Sequence, residues 1–185
     1  MIRNERGWIR FNKMVLLGVI VLGSCESDPP APTGPKVGDT HEGGIVFYVD
    51  PSGSHGLVAA TEDHGTADTW INLTFFKTGA TSTTDGAANT TTIIDAQGDM
   101  GTYAAKLCRD YRGGGFDDWF LPSKDQLNRL YTKKVVVGGF SNANYWSSTE
   151  KDPGEAWVQD FENGTQHTNS TSDNAGVHTR AVRAY

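Results

Sequence analysis

Two short apolar runs form the first clear hydrophobic pattern in the chain. Residues 44–50 (Gly-Ile-Val-Phe-Tyr-Val-Asp) are rich in β-branched and aromatic side chains, and residues 57–60 (Leu-Val-Ala-Ala) follow after a polar segment with two glycines. Runs of this kind on either side of a Gly- and Ser-containing turn predict a β-hairpin. Because apolar residues occupy both parities of the runs, we expect strands that are covered on both faces.

The segment 102–111 has the spacing of an amphipathic helix. It ends at three consecutive glycines, 113–115, where the chain can adopt positive φ and leave a helix. The expected buried face consists of Ala104, Leu107, Cys108 and Tyr111.

A second helix is predicted to begin at Ser123. Gln126 stands three residues further on, which is the spacing of a capping box, and Leu127, Leu130 and Tyr131 would form the buried face. By contrast, the tract 78–92 is polar and has no periodicity, so we predict a long loop there.

Three further strands are predicted in the C-terminal part of the chain, at residues 145–148, 156–161 and 177–185, separated by Gly, Asn and Asp turns. Helices in the middle of the chain with strands towards both ends predict an α+β fold whose termini meet in one sheet. The expected architecture has mixed or antiparallel sheets, two flanking helices and long irregular loops.

The first 24 residues have the organisation of a signal peptide. A basic region ends at Lys13, and the uncharged run 15–23 is too short to span a bilayer as a helix. The sequence Leu-Gly-Ser-Cys at 22–25 resembles the lipobox of bacterial lipoproteins, which predicts a lipid on Cys25. An ordinary secretory peptide with an incidental cysteine is the alternative. Residues 25–36, rich in proline, are predicted to be a semi-rigid tether.

Charge and cysteine content restrict the partners of the mature chain. Four of the 16 basic residues and one of the 22 acidic residues precede Cys25, so the remainder carries 12 basic against 21 acidic side chains, a net charge of −9. Nucleic-acid binding is therefore not expected, because it requires a basic face. Cys108 is the other cysteine, so no disulfide within the domain is predicted, and its place on an apolar helical face favours a buried hydrophobic role.

Five separated motifs stand out in the chain. They are Gly-Gly-Ile-Val-Phe-Tyr (43–48), Gly-Gly-Phe-Asp-Asp-Trp-Phe-Leu-Pro-Ser (114–123), Tyr-Trp-Ser-Ser-Thr-Glu (145–150), Ala-Trp (156–157) and Arg-Ala-Val-Arg-Ala-Tyr (180–185). Together they resemble the Lcl C-terminal domain family, long known as a domain of unknown function, and they are similar to paralogous surface domains of Fibrobacter type. The resemblance extends from residue 37 to residue 185. It implies a C-type-lectin-like fold of the variety shared with formylglycine-generating enzymes, in which a long irregular region presents the ligand surface.

The resemblance does not imply enzyme activity for this chain. The enzymes of this fold use a reactive cysteine pair near the C-terminal part, and no cysteine follows Cys108. We therefore expect no catalytic residue and no cofactor. The Glu-Pro-Asn, Gln-Pro-Asp and Trp-Asn-Asp motifs of calcium-dependent lectins are also absent. A calcium site stays open, because oxygen ligands could come from Glu150, Asp152, Glu155, Asp160, Glu162 and Asn163.

The expected ligand surface consists of the polar stretches 142–144, 149–155 and 163–174, whose side chains can bind sugar hydroxyls or adapt to a protein surface. We predict that Trp119, Trp146 and Trp157 belong to the core instead. The candidate ligand-binding residues are Asn144, Tyr145, Glu150, Asp152, Asn163, Gln166, His167 and Asn169.

The sequence leads to one main functional hypothesis. It predicts an outer-membrane lipoprotein, held by its lipid, that acts as a surface binding or adhesion module for glycans or another macromolecule. Whether the domain faces the periplasm or the cell exterior stays open. Glu26 after the cysteine favours the outer membrane. Glu26 and Asp28 together are compatible with an acidic signal for export to the cell surface. The alternatives are a structural or assembly component of the envelope that packs against another envelope protein, and a variable receptor of the kind diversified by retroelements. The ligand and the oligomeric state stay open.

Overall fold

Two four-stranded sheets are the framework of the described part of the chain, which in the computed structural model comprises residues 34–65, 68–72, 76–173 and 175–185. Helices and mixed sheets together confirm the predicted α+β class. Cys25 and the signal peptide lie outside the described residues. No helix within these ranges combines the length and the apolar character that crossing a membrane requires.

The first sheet joins the two ends of the domain. Its strands are β1 (Thr40–His41), β2 (Gly44–Val49), β3 (Gly56–Ala59) and β8 (Val182–Ala184), in the order β1-β2-β3-β8, and all neighbours are antiparallel. The predicted hairpin is confirmed as β2 and β3. The predicted meeting of the termini is also confirmed, because β8 pairs with β3.

The second sheet contains β4 (Asn144–Asp152), β5 (Glu155–Asp160), β6 (Gln166–Ser170) and β7 (Val177–His178), in the order β6-β5-β4-β7. β4 and β7 are parallel, and the other pairs are antiparallel. Strands were predicted at the positions of β4, β5 and β7, but the interpretation of 163–174 as loop is wrong for residues 166–170. β6 lies at the sheet edge with half-exposed polar side chains, so it lacks the apolar alternation by which strands are recognised.

Four α-helices are present in the described ranges: α1 (Gly86–Gln97), α2 (Ala104–Asp110), α3 (Lys124–Thr132) and α4 (Lys134–Val137). The two predicted helices are confirmed as α2 and α3, and Ser123 and Gln126 form the expected capping box. The predicted loop at 78–92 is wrong from residue 86 onward. Asp85 accepts the N–H of Ala88 and begins α1 there.

The buried face of α1 is largely polar, which explains why its sequence lacks the period of an amphipathic helix. Asn89 and Thr90 are buried together with Ile93. The Asn89 amide donates to the Ser82 carbonyl oxygen at 2.7 Å, and the Thr90 hydroxyl accepts the N–H of Leu121 at 3.0 Å. Hydrogen bonds to neighbouring loops thus replace part of the apolar contact that a helix usually makes.

Hydrophobic side chains cover both faces of β4 in the second sheet. Trp146 belongs to one core cluster with Trp119 and Cys108, whereas its neighbour Tyr145 belongs to the other with Phe161. The buried positions predicted for Trp119, Trp146 and Cys108 are confirmed. The same prediction needs correction for Trp157, which is only half-buried on β5 and lies beneath the Lys124 ammonium group, 3.3 Å from the ring centroid.

Candidate functional site

A concave surface lies between the β2–β3 hairpin, the first turns of α3 and the C-terminal residues. We call it the Tyr48 groove. It has a volume of about 440 Å³. Its aromatic and charged side chains come from distant parts of the chain and are Tyr48, Asp50, His55, Asp125, Arg129 and Tyr185.

The hairpin turn presents Asp50 at the groove in a fixed orientation. The Asp50 carboxylate accepts the backbone N–H of Ser52 at 3.1 Å and its hydroxyl at 2.6 Å, while the backbone N–H of Asp50 donates to the His55 carbonyl oxygen at 2.8 Å. The Ser52 hydrogen bond lowers the pKa of Asp50. The groove therefore contains an ionised carboxylate at neutral pH.

Two tyrosines give the groove its apolar surface. The Arg129 guanidinium lies 4.4 Å from the ring centroid of Tyr48, a cation–π arrangement. The Tyr185 hydroxyl packs against the backbone of Gly56, where a β-carbon would approach that oxygen to 2.4 Å. Glycine is thus required at position 56 to seat the C-terminal tyrosine, whose pKa is raised by burial.

A second depression adjoins the groove on the other side of Tyr185. It also measures about 440 Å³ and is lined by His41, Glu42 and Ser54 among others. The His41 ring meets the Tyr185 ring edge-on with centroids 4.6 Å apart. Tyr185 therefore lines both depressions, which makes this end of the first sheet an extended concave surface with mixed charge.

Two of the predicted ligand-binding residues are buried, so their expected place on an exposed surface is wrong. The Tyr145 hydroxyl donates to the Asp63 carboxylate at 2.8 Å and accepts the Ser141 N–H, and burial raises the pKa of Tyr145. The Glu150 carboxylate accepts the N–H of Thr78 at 2.9 Å and that of Gly79 at 2.8 Å. Both side chains hold loops in place.

Three of the other candidates lie along the edge strand β6. Gln166 is half-buried and donates to the Lys124 carbonyl oxygen at 2.9 Å, His167 is exposed, and Asn169 donates to the Asp173 carboxylate at 3.0 Å. His167 and Asn169 share a face of the strand, because alternate residues point the same way.

The remaining candidates are spread over both ends of the second sheet. Asn163 lies in the β5–β6 turn, where it is exposed and donates to the Asp160 carboxylate at 2.6 Å. Asp152 is exposed at the end of β4, opposite Glu155. Asn144 begins β4, and its amide oxygen is buried without a hydrogen-bond partner among the described residues. The eight candidates therefore do not converge on one site.

The acidic residues considered for calcium do not form a cluster. The Asp160 carboxylate accepts the backbone N–H groups of Glu162 and Asn163. The Glu150 carboxylate accepts those of Thr78 and Gly79. No group of three or more His, Cys, Asp or Glu side chains in the described ranges has an arrangement that could hold a metal ion.

A buried polar cluster surrounds Asp63. Its carboxylate accepts from Arg180 Nε at 2.7 Å and lies 2.9 Å from His178 Nδ1, in addition to the bond from Tyr145. The Arg180 side chain is fully buried and also donates to the carbonyl oxygens of Ala60 and Gly139. These bonds tie the loop after β3 to β4 and β7, so we interpret the cluster as structural.

The other arginine of the C-terminal motif connects two further motifs. The Arg183 side chain donates to the carboxylates of Asp118 and Glu42, and its guanidinium lies 3.8 Å from the ring centroid of Phe116. Phe116 and Asp118 belong to the motif at 114–123. The two motifs are thus parts of one contact surface in the fold.

The family is decided by comparison with known domains. The model of the Lcl C-terminal domain family matches residues 59–183. The chain belongs to the Lcl C-terminal domain family. A comparison with curated proteins found no match. The match to the Lcl C-terminal domain begins at Ala59, at the end of β3, whereas β1 and β2 precede it and complete the same sheet.

Sequence reasoning missed the Tyr48 groove of this Lcl C-terminal domain. Tyr48 stands within one family motif and Tyr185 within another, but both motifs were interpreted only as evidence for the family and its fold. Arg129 and Asp125 lie on the polar side of α3 and carry no local signal. The groove arises only because α3 packs beside β2, so no spacing in the sequence indicates it.

Proposed function

We propose that this protein is an outer-membrane lipoprotein, anchored by a lipid on Cys25, whose Lcl C-terminal domain is a binding module for surface glycans or another envelope macromolecule. The leader and the Leu-Gly-Ser-Cys sequence support the anchoring. We further propose a C-type-lectin-like fold. Its support is that strands near the two ends of the domain share one sheet and that helices flank the sheets.

The Tyr48 groove is the observation that carries the binding proposal. Sugars present C–H faces that stack on aromatic rings and hydroxyls that bond to charged or polar groups. The groove offers both, with Tyr48 and Tyr185 beside Asp50, Asp125 and Arg129. Concave sites with a few convergent polar groups are the usual form of small-molecule sites. Rigid tyrosines also lose little conformational entropy on binding.

The shape of the groove favours weak individual binding. It is an open surface depression, so much of a bound sugar would stay in contact with water. Many lipid-anchored copies on one cell would then act together, because the second and later contacts are made at high effective concentration. The proposed adhesion would then depend on avidity, in which many weak contacts together hold the cell to its target.

The free edge of β6 favours the second candidate function, protein–protein packing in the envelope. The backbone N–H of Asp160 donates to the Thr165 carbonyl oxygen, and the backbone N–H of Thr171 donates to that of Gly154. The backbone groups of the odd-numbered residues of β6 therefore point towards β5. The backbone groups of Gln166 and Thr168 therefore point outward, at the end of the described sheet. A strand of another protein can add to such an edge.

One experiment distinguishes the two functions. The chain is screened on a glycan array and on whole cells, with and without calcium. Three variants are compared with wild type. His55→Ala/Arg129→Ala changes two exposed groove residues, Thr168→Pro removes an outward N–H from the edge of β6, and Thr168→Val is its matched control.

Glycan binding that falls in the groove variant and persists in the edge variants supports the proposed function. Cell binding that is lost in Thr168→Pro but retained in Thr168→Val and in the groove variant supports envelope assembly instead. If the groove variant binds the same glycans as wild type, the Tyr48 groove is not the site. Each variant is first checked for an unchanged thermal midpoint. Ordinary surface substitutions typically change stability by no more than about 0.5 kcal/mol, whereas a proline within a strand is tolerated only where its N–H has no ladder partner.

A further inference from the structure

Two neighbouring valines of α4 face solvent. Val135 is 88% exposed and Val136 51% exposed, whereas Val137, the next residue, packs into the core with 9% exposure. Val37, 39% exposed, directly precedes Gly38, where an added β-carbon would lie 3.0 Å from a γ-carbon of Val136. We call Val37, Val135 and Val136 the valine patch. Exposed apolar residues that form a contiguous patch, unlike single ones, are a feature of protein–protein and membrane interaction sites.

Lysines accompany the patch on two sides. Lys36 precedes Val37 and Lys133 precedes α4, and both are exposed. Lys134 is turned towards the domain instead, since its ammonium group donates to the Phe161 carbonyl oxygen and lies 4.6 Å from the Tyr131 ring centroid. One acidic residue, Asp39, also stands near Val37, and its carboxylate accepts the backbone N–H of Lys36 at 2.8 Å. Apolar residues with neighbouring lysines are typical of surfaces that meet anionic membranes.

The patch lies where the chain enters the domain. Val37 follows Gly34, the first described residue, by three positions, and Cys25 precedes Gly34 by nine. Nine residues reach about 30 Å at full extension. If Cys25 carries the lipid, the tether therefore holds this side of the domain near the bilayer that contains the anchor.

We propose that the valine patch contacts the headgroup region of the membrane that holds the lipid anchor. This inference rests on the anchoring part of the proposed function. The valines enter the interface shallowly, and Lys36 and Lys133 face anionic lipid phosphates. The contact is weak by itself, but the tether supplies a high effective concentration of membrane. The domain is thereby oriented on the membrane and not free to rotate about its tether.

The test uses the full lipidated chain with one environment-sensitive fluorophore. Val135→Cys is labelled with nitrobenzoxadiazole. Cys108 does not compete for the label, because it is fully buried and burial raises the pKa of its thiol well above the ordinary value. Met100→Cys is the matched control, since Met100 is another exposed apolar residue, at 81% exposure, in the connection between α1 and α2. Vesicles contain phosphatidylethanolamine with phosphatidylglycerol, or phosphatidylcholine alone.

We expect the label at position 135 to shift its emission to the blue on vesicles, more on anionic than on neutral ones, while the label at position 100 keeps the emission it has in water. If the chain floats with vesicles but the label at position 135 also keeps the emission it has in water, the valine patch is not a membrane contact. The proposed lipid anchor is then supported all the same. If the chain does not float at all, the anchoring fails and this inference with it. A concentration-dependent blue shift without vesicles would show that the patch joins two copies of the chain, which overturns the proposal.

Discussion

The two arginine–aspartate pairs of the C-terminal motif differ in burial, and this difference makes a quantitative prediction. Arg180 and Asp63 have side-chain exposures of 0% and 11%, whereas Arg183 and Asp118 have 10% and 56%. Asp→Asn removes the charge in each pair and nearly preserves the shape. Asp63→Asn and Asp118→Asn are therefore matched perturbations of the same chemistry in two environments.

The expected cost of Asp63→Asn is about 3 kcal/mol of unfolding free energy. Removing one partner of a buried ion pair typically costs about 3–5 kcal/mol, because the other charge stays buried without compensation. Arg180 retains the carbonyl oxygens of Ala60 and Gly139, which places the loss at the lower end of that range. Asp118→Asn is expected to cost about 0–1 kcal/mol, since exposed pairs contribute little and Arg183 keeps Glu42.

Urea unfolding followed by tryptophan fluorescence measures both losses, with Cys25→Ser as the common background so that the proposed lipid is absent. For a slope of about 2 kcal/mol/M, Asp63→Asn should lower the midpoint by about 1.5 M without changing the slope. Added salt should reduce the small effect of Asp118→Asn and leave that of Asp63→Asn nearly unchanged, because buried pairs are poorly screened. Equal losses in the two variants would refute the reasoning from burial.

Three further predictions concern other parts of the chain. Trp146→Ala should cost about 3–5 kcal/mol in the same urea titration, whereas His167→Ala should cost no more than about 0.5 kcal/mol; similar losses would contradict the burial assigned to them. Because burial lowers the pKa of His64 from 6.5 to about 4, the unfolded chain takes up a proton there that the folded chain does not, so this contribution to stability is present above pH 6.5 and is lost as the pH falls towards 4. His64→Gln should flatten the acid side of the stability–pH curve, and an unchanged slope would argue against this origin. Cys25→Ser should abolish fractionation with membranes, and a variant that still sediments with them would contradict the lipid anchor.

Local signals predicted the elements whose formation depends on local physics. The capping box of Ser123 and Gln126 is complete within four residues, so it identified the start of α3 correctly. The hairpin of β2 and β3 was recognised for the same reason, because its strands carry apolar runs on either side of a short turn. The buried place of Cys108 followed from the helical period of its neighbours.

Elements without an apolar pattern escaped prediction. In α1 the buried Asn89 donates to Ser82 and Ser148, and the buried Thr90 accepts from Leu121, so its sequence resembles a polar loop. β6 needs only the backbone of β5 on one side, which imposes no apolar pattern. Glu150 looked like a surface ligand, yet it is buried because the 78–79 loop folds over it.

The sequence by itself determined two of the helices and the main strands, because each has a signal contained in a few neighbouring residues. The order of these elements along the chain predicted the α+β class, and five separated motifs indicated the family. Only the tertiary structure decided which polar residues are exposed, how the two C-terminal arginines are paired, and that Tyr48, Arg129 and Tyr185 share a groove. The physical reason is that side chains far apart in the chain meet through packing of α3 and β8 against the hairpin strands. Burial and pairing of this kind depend on the whole fold and leave no periodicity in the sequence.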